Sequence, residues 1–427
     1  MKKNIGFVST RFAGTDGVTL EASKWAQVIR RMGHEYFWFA GQLDKSPERS
    51  MLVPEAFFQH EHNQWINTRI LGAKRRDAAV TDMIQALKTL LKVRLREFIG
   101  KFSIDLLVAE NALTIPMQVP LGLALTEIIA ETQIPTIAHH HDFYWERARF
   151  SINAVGDYIR MAFPPNLPNM AHIVINSAAQ EELALRTGIS SVIIPNILDF
   201  ENPPVVDPEK TTRLRAQIGL NADDIMILQP TRIIQRKGIE HAIELVKEMK
   251  NPRYKLVISH EAGDEGYEYA EWLKDYAAEH GVTLCLCPTR MRDPWNDVAA
   301  GETDHSLLDI YPCADFITYP SLYEGFGNAF LEAIYFKKPM LINRYATFVR
   351  DIEPQGFQLI AMDGYLSHKA VEQVKSILNN AEKRNAIVEH NYETARRYYS
   401  YSVLQRWLSI LLINFFGFSP ARNTCSE

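Results

Sequence analysis

Tyr319-Pro-Ser-Leu-Tyr-Glu-Gly-Phe-Gly-Asn-Ala-Phe-Leu-Glu-Ala333 is the stretch on which the reading of this chain turns. Before it, Ala314 to Thr318 is a short apolar run of the kind that fills a buried strand. Pro320 and Ser321 stop that run, and a turn with two glycines, Gly325 and Gly327, follows. From Asn328 onward Phe330, Leu331, Ile334 and Tyr335 recur at helical spacing. Strand, glycine turn and helix start make an anion site, because unpaired backbone N–H groups and the positive end of the helix dipole point outward there. Glu324 and Glu332 frame the turn, and a carboxylate accepts hydrogen bonds from sugar hydroxyls. That combination suits a nucleotide-sugar.

Outward from this stretch, apolar runs alternate with helical stripes. Candidate strands in the first half lie at 5–9, 35–41, 105–110, 135–140, 172–176 and 191–195. A second set lies at 224–230, 254–260, 283–288, 314–319, 339–343 and 357–360. Between the first two strands, Ala22, Trp25, Ala26, Val28 and Ile29 form a helical stripe that Gly33 ends. Such alternation predicts the α/β class with doubly wound parallel sheets and ligands beyond the C-terminal strand ends. At 427 residues the chain exceeds a typical single core, and Pro203, Pro204 and Pro208 mark a hinge within 199–212. The expected division is 1–205 and 206–394, two Rossmann-like domains facing across a cleft. A last helix is expected over about 391–416.

A formal net charge of −5 argues against a nucleic-acid binder, which shows a basic excess. Cys285, Cys287, Cys313 and Cys425 make neither a disulfide framework nor paired zinc spacing, and read as reduced, mostly buried cytoplasmic thiols. The start, Met-Lys-Lys-Asn followed by Ile5 to Ser9, reads as a first strand and not as a signal segment. No run reaches the ~20 apolar residues of a membrane span. The helical segment 60–103 is locally basic, with Arg69, Lys74, Arg75, Arg76, Lys88, Lys92, Arg94, Arg96 and Lys101. A solvated helical face is the favoured reading, contact with an anionic membrane the alternative.

Three further places carry chemistry. In Gln229-Pro-Thr-Arg-Ile-Ile-Gln-Arg-Lys-Gly238, Arg232 and Lys237 stand at the mouth of a strand-to-helix turn, where cations neutralise a diphosphate. In Arg11-Phe-Ala-Gly-Thr-Asp-Gly-Val-Thr-Leu-Glu21, Gly14 and Gly17 let a ligand approach the backbone, while Asp16 either caps the next helix or binds hydroxyls. Ala138-His-His-His-Asp-Phe-Tyr-Trp-Glu-Arg147 ends a strand with three histidines. Side chains alternate along a strand, so only His139 and His141 share a side, which weakens a metal reading.

The eight-residue spacing of Glu324 and Glu332 around Gly-Phe-Gly resembles the E-x7-E signature of glycosyltransferase family 4, retaining enzymes of the GT-B fold. Arg232 to Gly238 resembles the family's Arg-x4-Lys-Gly donor motif. Residues 11–21 resemble its glycine loop, with Asp16 in place of one glycine, and Ile194-Pro-Asn-Ile-Leu-Asp199 its junction turn, with Ile197 and Leu198 replacing Gly-Val. Ser259-His-Glu-Ala-Gly263 departs from the family's loop near the nucleotide base, and Phe336 to Ile342 keeps only the proline and the apolar strand of another segment. The resemblance implies that a helix near 395–418 packs back on the first domain and that no metal or tightly bound cofactor is needed.

It also implies roles. Glu324 contacts donor-sugar hydroxyls, Gly14, Gly17, Gly325, Phe326, Gly327, Asn328 and Ala329 hold diphosphate or sugar, and Glu332 binds ribose. Arg232 and Lys237 stabilise the leaving group, and His141 bonds the donor sugar. Asp16, Glu21, Asn111, His140, Asp142, Tyr144 and Arg147 form the acceptor side. The expectation is a cytoplasmic hexosyltransferase using GDP-mannose, or UDP-glucose, on a small sugar or sugar acid of the compatible-solute type. Alternatives are a membrane-associated lipid or cell-surface glycan glycosyltransferase, a nucleotide-sugar epimerase of the same fold, and a non-catalytic nucleotide-sugar binder. Oligomeric state is not legible in these residues.

Overall fold

The computed structural model describes residues 2–259, 267–287, 291–292 and 305–417. The described residues fall into two compact units, one running to Pro195 and resuming at Ser402, the other spanning Asn196 to Tyr401.

The first unit runs β1 (Asn4–Val8), α1 (Gly17–Arg31), β2 (Glu35–Ala40), β3 (Ser50–Leu52), α2 (Glu61–Ile70), α3 (Ala78–Phe102), β4 (Leu106–Glu110), α4 (Val119–Thr132), β5 (Thr136–His140), α5 (Gly156–Ala162), β6 (Met170–Val174), α6 (Ser177–Thr187) and β7 (Val192–Ile193). Its seven strands are parallel and ordered β3-β2-β1-β4-β5-β6-β7. Strand order reverses between β1 and β4, so the loops after those two strands flank a crevice at the C-terminal sheet edge. The edge strand β3 is missing from the sequence-based set. Three residues show no alternation to read, and Leu52 is exposed.

The second unit runs α7 (Pro208–Ile218), β8 (Ile225–Gln229), α8 (Ile239–Met249), β9 (Tyr254–Ile258), α9 (Tyr267–Glu279), β10 (Leu284–Leu286), β11 (Met291–Arg292), β12 (His305–Ser306), α10 (Ile310–Cys313), β13 (Phe316–Tyr319), α11 (Asn328–Tyr335), β14 (Met340–Asn343), β15 (Ile360–Met362), α12 (His368–Leu378) and α13 (Ala381–Tyr399). A final helix, α14 (Tyr401–Phe416), leads back into the first unit. The main sheet, β10-β9-β8-β13-β14-β15, is parallel and repeats the same winding, with its reversal between β8 and β13. The chain is therefore α/β with two Rossmann-like parallel-sheet domains, as the alternation predicts.

The single last helix expected over 391–416 is instead two helices broken at Ser400, which is extended (φ −91°, ψ 166°), fully buried and bridged to Leu198. Neither glycine nor proline marks the break; tertiary pairing imposes it. The expected hinge also differs, since helix α7 begins inside it, capped by Asp207 with Pro208 in its first turn.

The basic segment 60–103 forms α2 and α3. One face of α3 buries Val80, Ile84, Leu87, Leu91, Leu95 and Phe98, each such side chain contributing about 1.5–3 kcal/mol of transfer free energy. Its cations are largely committed. Lys88 and Lys92 bind Glu127 at 2.6 and 2.7 Å, and Lys92 and Arg96 bind Glu131 at 2.5 and 2.6 Å, tying α3 to α4. Arg94 pairs with Glu97 at 2.8 Å, and Arg76 with Asp157 at 2.6 Å. No helix among the described residues is long and apolar enough to cross a membrane. Cys287 and Cys313 are buried and Cys285 partly so, all three free thiols; Cys425 lies outside the described residues.

Candidate functional site

In the second unit, the loops after β8 and β13 meet at the winding reversal. Leu322 N–H donates to the Arg236 carbonyl at 2.9 Å, and Arg236 Nη1 donates to the Tyr323 carbonyl at 2.9 Å. Gly238, at φ +61°, makes this approach possible: a Cβ there would lie 2.6 Å from the Pro320 carbonyl oxygen. The contact delivers Lys237 Nζ to Glu324 Oε1, while Arg236 Nη1 reaches Glu324 Oε2 at 3.3 Å. Lys237 and Glu324 are both buried. Burial pushes the Glu324 carboxyl up, but Lys237 and then Arg236 outweigh it and hold the group below its usual range. For Lys237 burial wins, and its ammonium titrates below the usual lysine range despite the carboxylate beside it.

The glycine turn is shaped for close approach. Gly327 sits at φ +112°, where a Cβ would meet Tyr345 Oη at 2.7 Å and Tyr319 Oη at 3.1 Å. Tyr345 Oη donates to the Phe326 carbonyl at 2.7 Å, and Thr347 Oγ1 to the Glu324 carbonyl at 3.0 Å, so the turn is held from behind. Helix α11 starts immediately after, with Asn328 Oδ1 accepting from Asn196 Nδ2 at 2.5 Å. Glu332, one helical turn on, is buried and accepts from Tyr311 Oη at 2.5 Å. Burial and then the neighbouring Glu332 charge push the Tyr311 phenol well above its usual range, so it remains a donor. Arg232 is exposed and makes no ion pair among the described residues.

In the first unit, β4 and β5 end side by side. Glu110 is the cross-strand neighbour of His139, so the carboxylate and both histidines of that face converge. Glu110 Oε2 lies 3.0 Å from His139 Nδ1 and 3.1 Å from His141 Nε2. Trp25 of α1 stacks on His139 at 4.3 Å between ring centroids. Burial pushes Glu110 up, but the two imidazoles outweigh it and hold the carboxyl at about 2. Burial lowers His141, and Glu110, Glu21 and Asp142 reverse that, raising it above the usual histidine value. The three groups also bring one ligand atom each within 4.8 Å of one another, which would let them hold a metal ion; Glu110 is also within hydrogen-bond distance of each imidazole.

His140 points the other way. Its Nδ1 bonds Thr114 Oγ1 at 2.5 Å and its Nε2 bonds His172 Nδ1 at 3.0 Å, both inside the unit. Asn111, at φ +56°, accepts from His141 N–H at 3.1 Å and donates to Asp142 Oδ1 at 2.9 Å. Asp142 also takes Arg147, whose Nε lies 2.5 Å from Oδ2. Tyr144 opens a short 3-10 turn next to this group, half-buried. Asp16 caps α1, accepting from Val18 and Thr19 N–H at 3.2 and 3.3 Å, and pairs with Arg11 at 3.1 Å. Glu21 is fully buried and paired with Lys24. Gly14, at φ +77°, donates its N–H to Asp44 at 2.8 Å, and Gly17 is the first residue of α1.

The structure thus brings Lys237, Glu324 and the turn Gly325–Ala329 together in one unit, and His141, Asn111, Asp142 and Arg147 together in the other. The expected acceptor roles of His140 and Glu21 meet side chains already committed inside the first unit. Glu110 and Arg236 were not singled out from sequence. Glu110 ends an apolar run and shows its importance only through β4–β5 register, whereas Arg236 was legible as a third cation in the Arg232–Lys237 motif. The expected loop at 259–263 lies, after Ser259, outside the described residues.

Residues 297–394 match the family model described as "Glycosyl transferases group 1". The mannosylglucosylglycerate synthase of Thermotoga maritima is 31% identical, covering 95% of this chain and 98% of that protein. The mannosylglucosylglycerate synthase of Petrotoga mobilis is 32% identical over 84% of this chain and 86% of its own. Among solved structures, the sucrose-phosphate synthase of Thermosynechococcus elongatus superposes with a TM-score of 0.67 at 15% identity, covering 98% and 100% of the two chains. The Anabaena protein HepE, solved in complex with UDP and glucose, gives 0.65 at 13% identity over 96% and 99%. Both neighbours share the GT-B fold.

Proposed function

We propose that this chain, which belongs to the group 1 glycosyl transferases as a relative of the mannosylglucosylglycerate synthases, transfers a hexose with retention of configuration from a nucleotide-sugar to a small sugar acid. The observation that carries the reading is the buried Lys237–Glu324 ion pair, with the exposed Arg236 on the carboxylate's second oxygen, beside the Gly325–Gly327 turn. Cations here answer the charge that grows on a departing nucleoside diphosphate, and so stabilise the transition state more than the ground state. Arg232 is the additional cation able to meet that charge. Glu324 takes donor-sugar hydroxyls and Glu332 the ribose. The bond from the anomeric carbon to phosphate breaks, the bond to the acceptor oxygen forms on the same face, and the acceptor's proton passes to the leaving phosphate.

The relatives' names support mannose as the transferred sugar and a glucosylglycerate-type acceptor; GDP-mannose is the donor we propose first and UDP-glucose the second. Arg147, placed by Asp142, offers a guanidinium to an acceptor carboxylate. The test is a donor panel read by thermal shift and by nucleoside-diphosphate release with pooled small acceptors. GDP-mannose with a sugar acid is expected to give both signals. If no nucleotide-sugar binds, or Arg232→Ala and Lys237→Ala leave transfer intact, the reading fails.

A further inference from the structure

We propose that Glu110 is a positioning residue for His141, fixing its ring through Nε2 so that Nδ1 faces substrate as a hydrogen-bond acceptor. This rests on the reading of His141 as a donor-sugar contact. An ionised carboxylate only accepts, so His141 must present Nε2–H to Glu110 Oε2, 3.1 Å away. In the neutral ring the lone pair then lies on Nδ1, and no bond to that atom is made within the described residues. The geometry is that of a carboxylate–imidazole pair, in which a buried acid selects the tautomer and orientation of the histidine.

Three features make Glu110 rigid enough for this. It is fully buried, His139 Nδ1 lies within 3.1 Å of both its carboxylate oxygens, and Trp25 stacks on His139. The backbone of His141 is fixed separately by Asn111, so both ends of the residue are held. Besides Glu110, the charged groups facing the ring are Asp142, His139 and Glu21, the last paired with Lys24.

The test is the pH profile of kcat/KM in wild type, Glu110→Gln, His141→Ala and the double variant. If neutral Nδ1 is needed, wild type shows an acid limb set by His141. Glu110→Gln keeps the hydrogen bond but removes the charge that favours imidazolium. It is expected to lower plateau activity about tenfold or more and to move the acid limb to lower pH. The double variant is expected to be no worse than His141→Ala. A purely structural role for Glu110 would lower activity and melting temperature without moving the limb, and would overturn the proposal. Should Glu110→Gln not fold, ring-nitrogen NMR of wild type decides: a proton on Nε2 supports the assignment and one on Nδ1 overturns it. Stoichiometric divalent metal held by wild type and lost in Glu110→Gln would also overturn it, by making Glu110 a ligand. If His141→Ala is impaired while Glu110→Gln is unaffected, only this assignment fails. If His141→Ala transfers normally, the reading beneath it fails, while donor binding through Lys237 stays a separate question.

Discussion

Glu324 and Lys237, 87 residues apart in sequence, form an ion pair buried on both sides, and Arg236 sits on the carboxylate's second oxygen. The group assigned to sugar hydroxyls and the group assigned to diphosphate therefore occupy each other. On the proposed roles, a bound diphosphate would compete for Lys237 and release Glu324, so the two halves of the donor should bind cooperatively. Lys237→Ala is expected to weaken nucleoside-diphosphate binding and lower kcat about 10²-fold or more. Glu324→Gln should keep most diphosphate affinity but lose the gain in affinity that the attached sugar provides. Calorimetry with the diphosphate and the full nucleotide-sugar separates these outcomes. Equal loss of both ligands in Glu324→Gln would contradict the exchange.

Gly327 offers a second, sharper test. Alanine there meets both a left-handed backbone and the hydroxyl of Tyr345 at 2.7 Å. The expected destabilisation is about 1–3 kcal/mol from strain alone, increased by the clash, with loss of donor binding. Gly364→Ala is the control, because its φ is +74° but nothing lies within 4 Å of its Cβ. It should cost only the backbone strain. Adding Tyr345→Phe to Gly327→Ala should recover part of the difference in a chemical-denaturation series.

What could be read from the sequence follows from how local each signal is. The 319–333 stretch is legible because strand, turn and helix start are contiguous, and the strand-to-helix turn read at 229–238 leads directly into α8. The pairing of Lys237 with Glu324 depends on two crossover loops meeting and is visible only through the sheet order. Glu110 was silent for the same reason: its meaning comes from standing opposite His139 on a neighbouring strand. The alternation argument did separate His140 from His139 and His141, and the structure shows that separation. It could not show that His140 turns inward onto His172. Ser400 breaks the last helix by long-range pairing with Leu198, against its local helical pattern.

The His140–His172 pair predicts an acid-sensitive fold. Both rings are buried, stack at 5.3 Å and share a proton-bearing contact at 3.0 Å. Burial lowers His172 to about 4, and burial with the neighbouring imidazoles holds His140 well below its usual value. A histidine kept neutral in the fold binds its proton only when unfolded, so stability falls as pH drops from about 6.5 toward 4. For His172 alone the loss at pH 5 is about 2 kcal/mol. Glu110, held at about 2, acts in a different window, losing its contribution only below about pH 4.5. Denaturation midpoints measured from pH 7 to 4.5 should fall in wild type and fall less in His172→Asn.

The basic face of α3 yields the last prediction. Its Lys88, Lys92 and Arg96 are knitted to Glu127 and Glu131 of α4, and Arg94 is paired within its own helix. Cations already satisfied by nearby carboxylates present little net charge to an anionic surface, and at Lys88 and Lys92 the side chains are mostly buried. Arg94→Gln with Arg96→Gln is therefore expected to leave pelleting with phosphatidylserine vesicles unchanged. Lys92→Ala, which cuts two arms of the network, should cost about 0.5–1 kcal/mol, an effect that shrinks as salt is raised. A charge-dependent loss of vesicle binding in the double variant would instead show that this helix reads a membrane, and would revive a lipid acceptor.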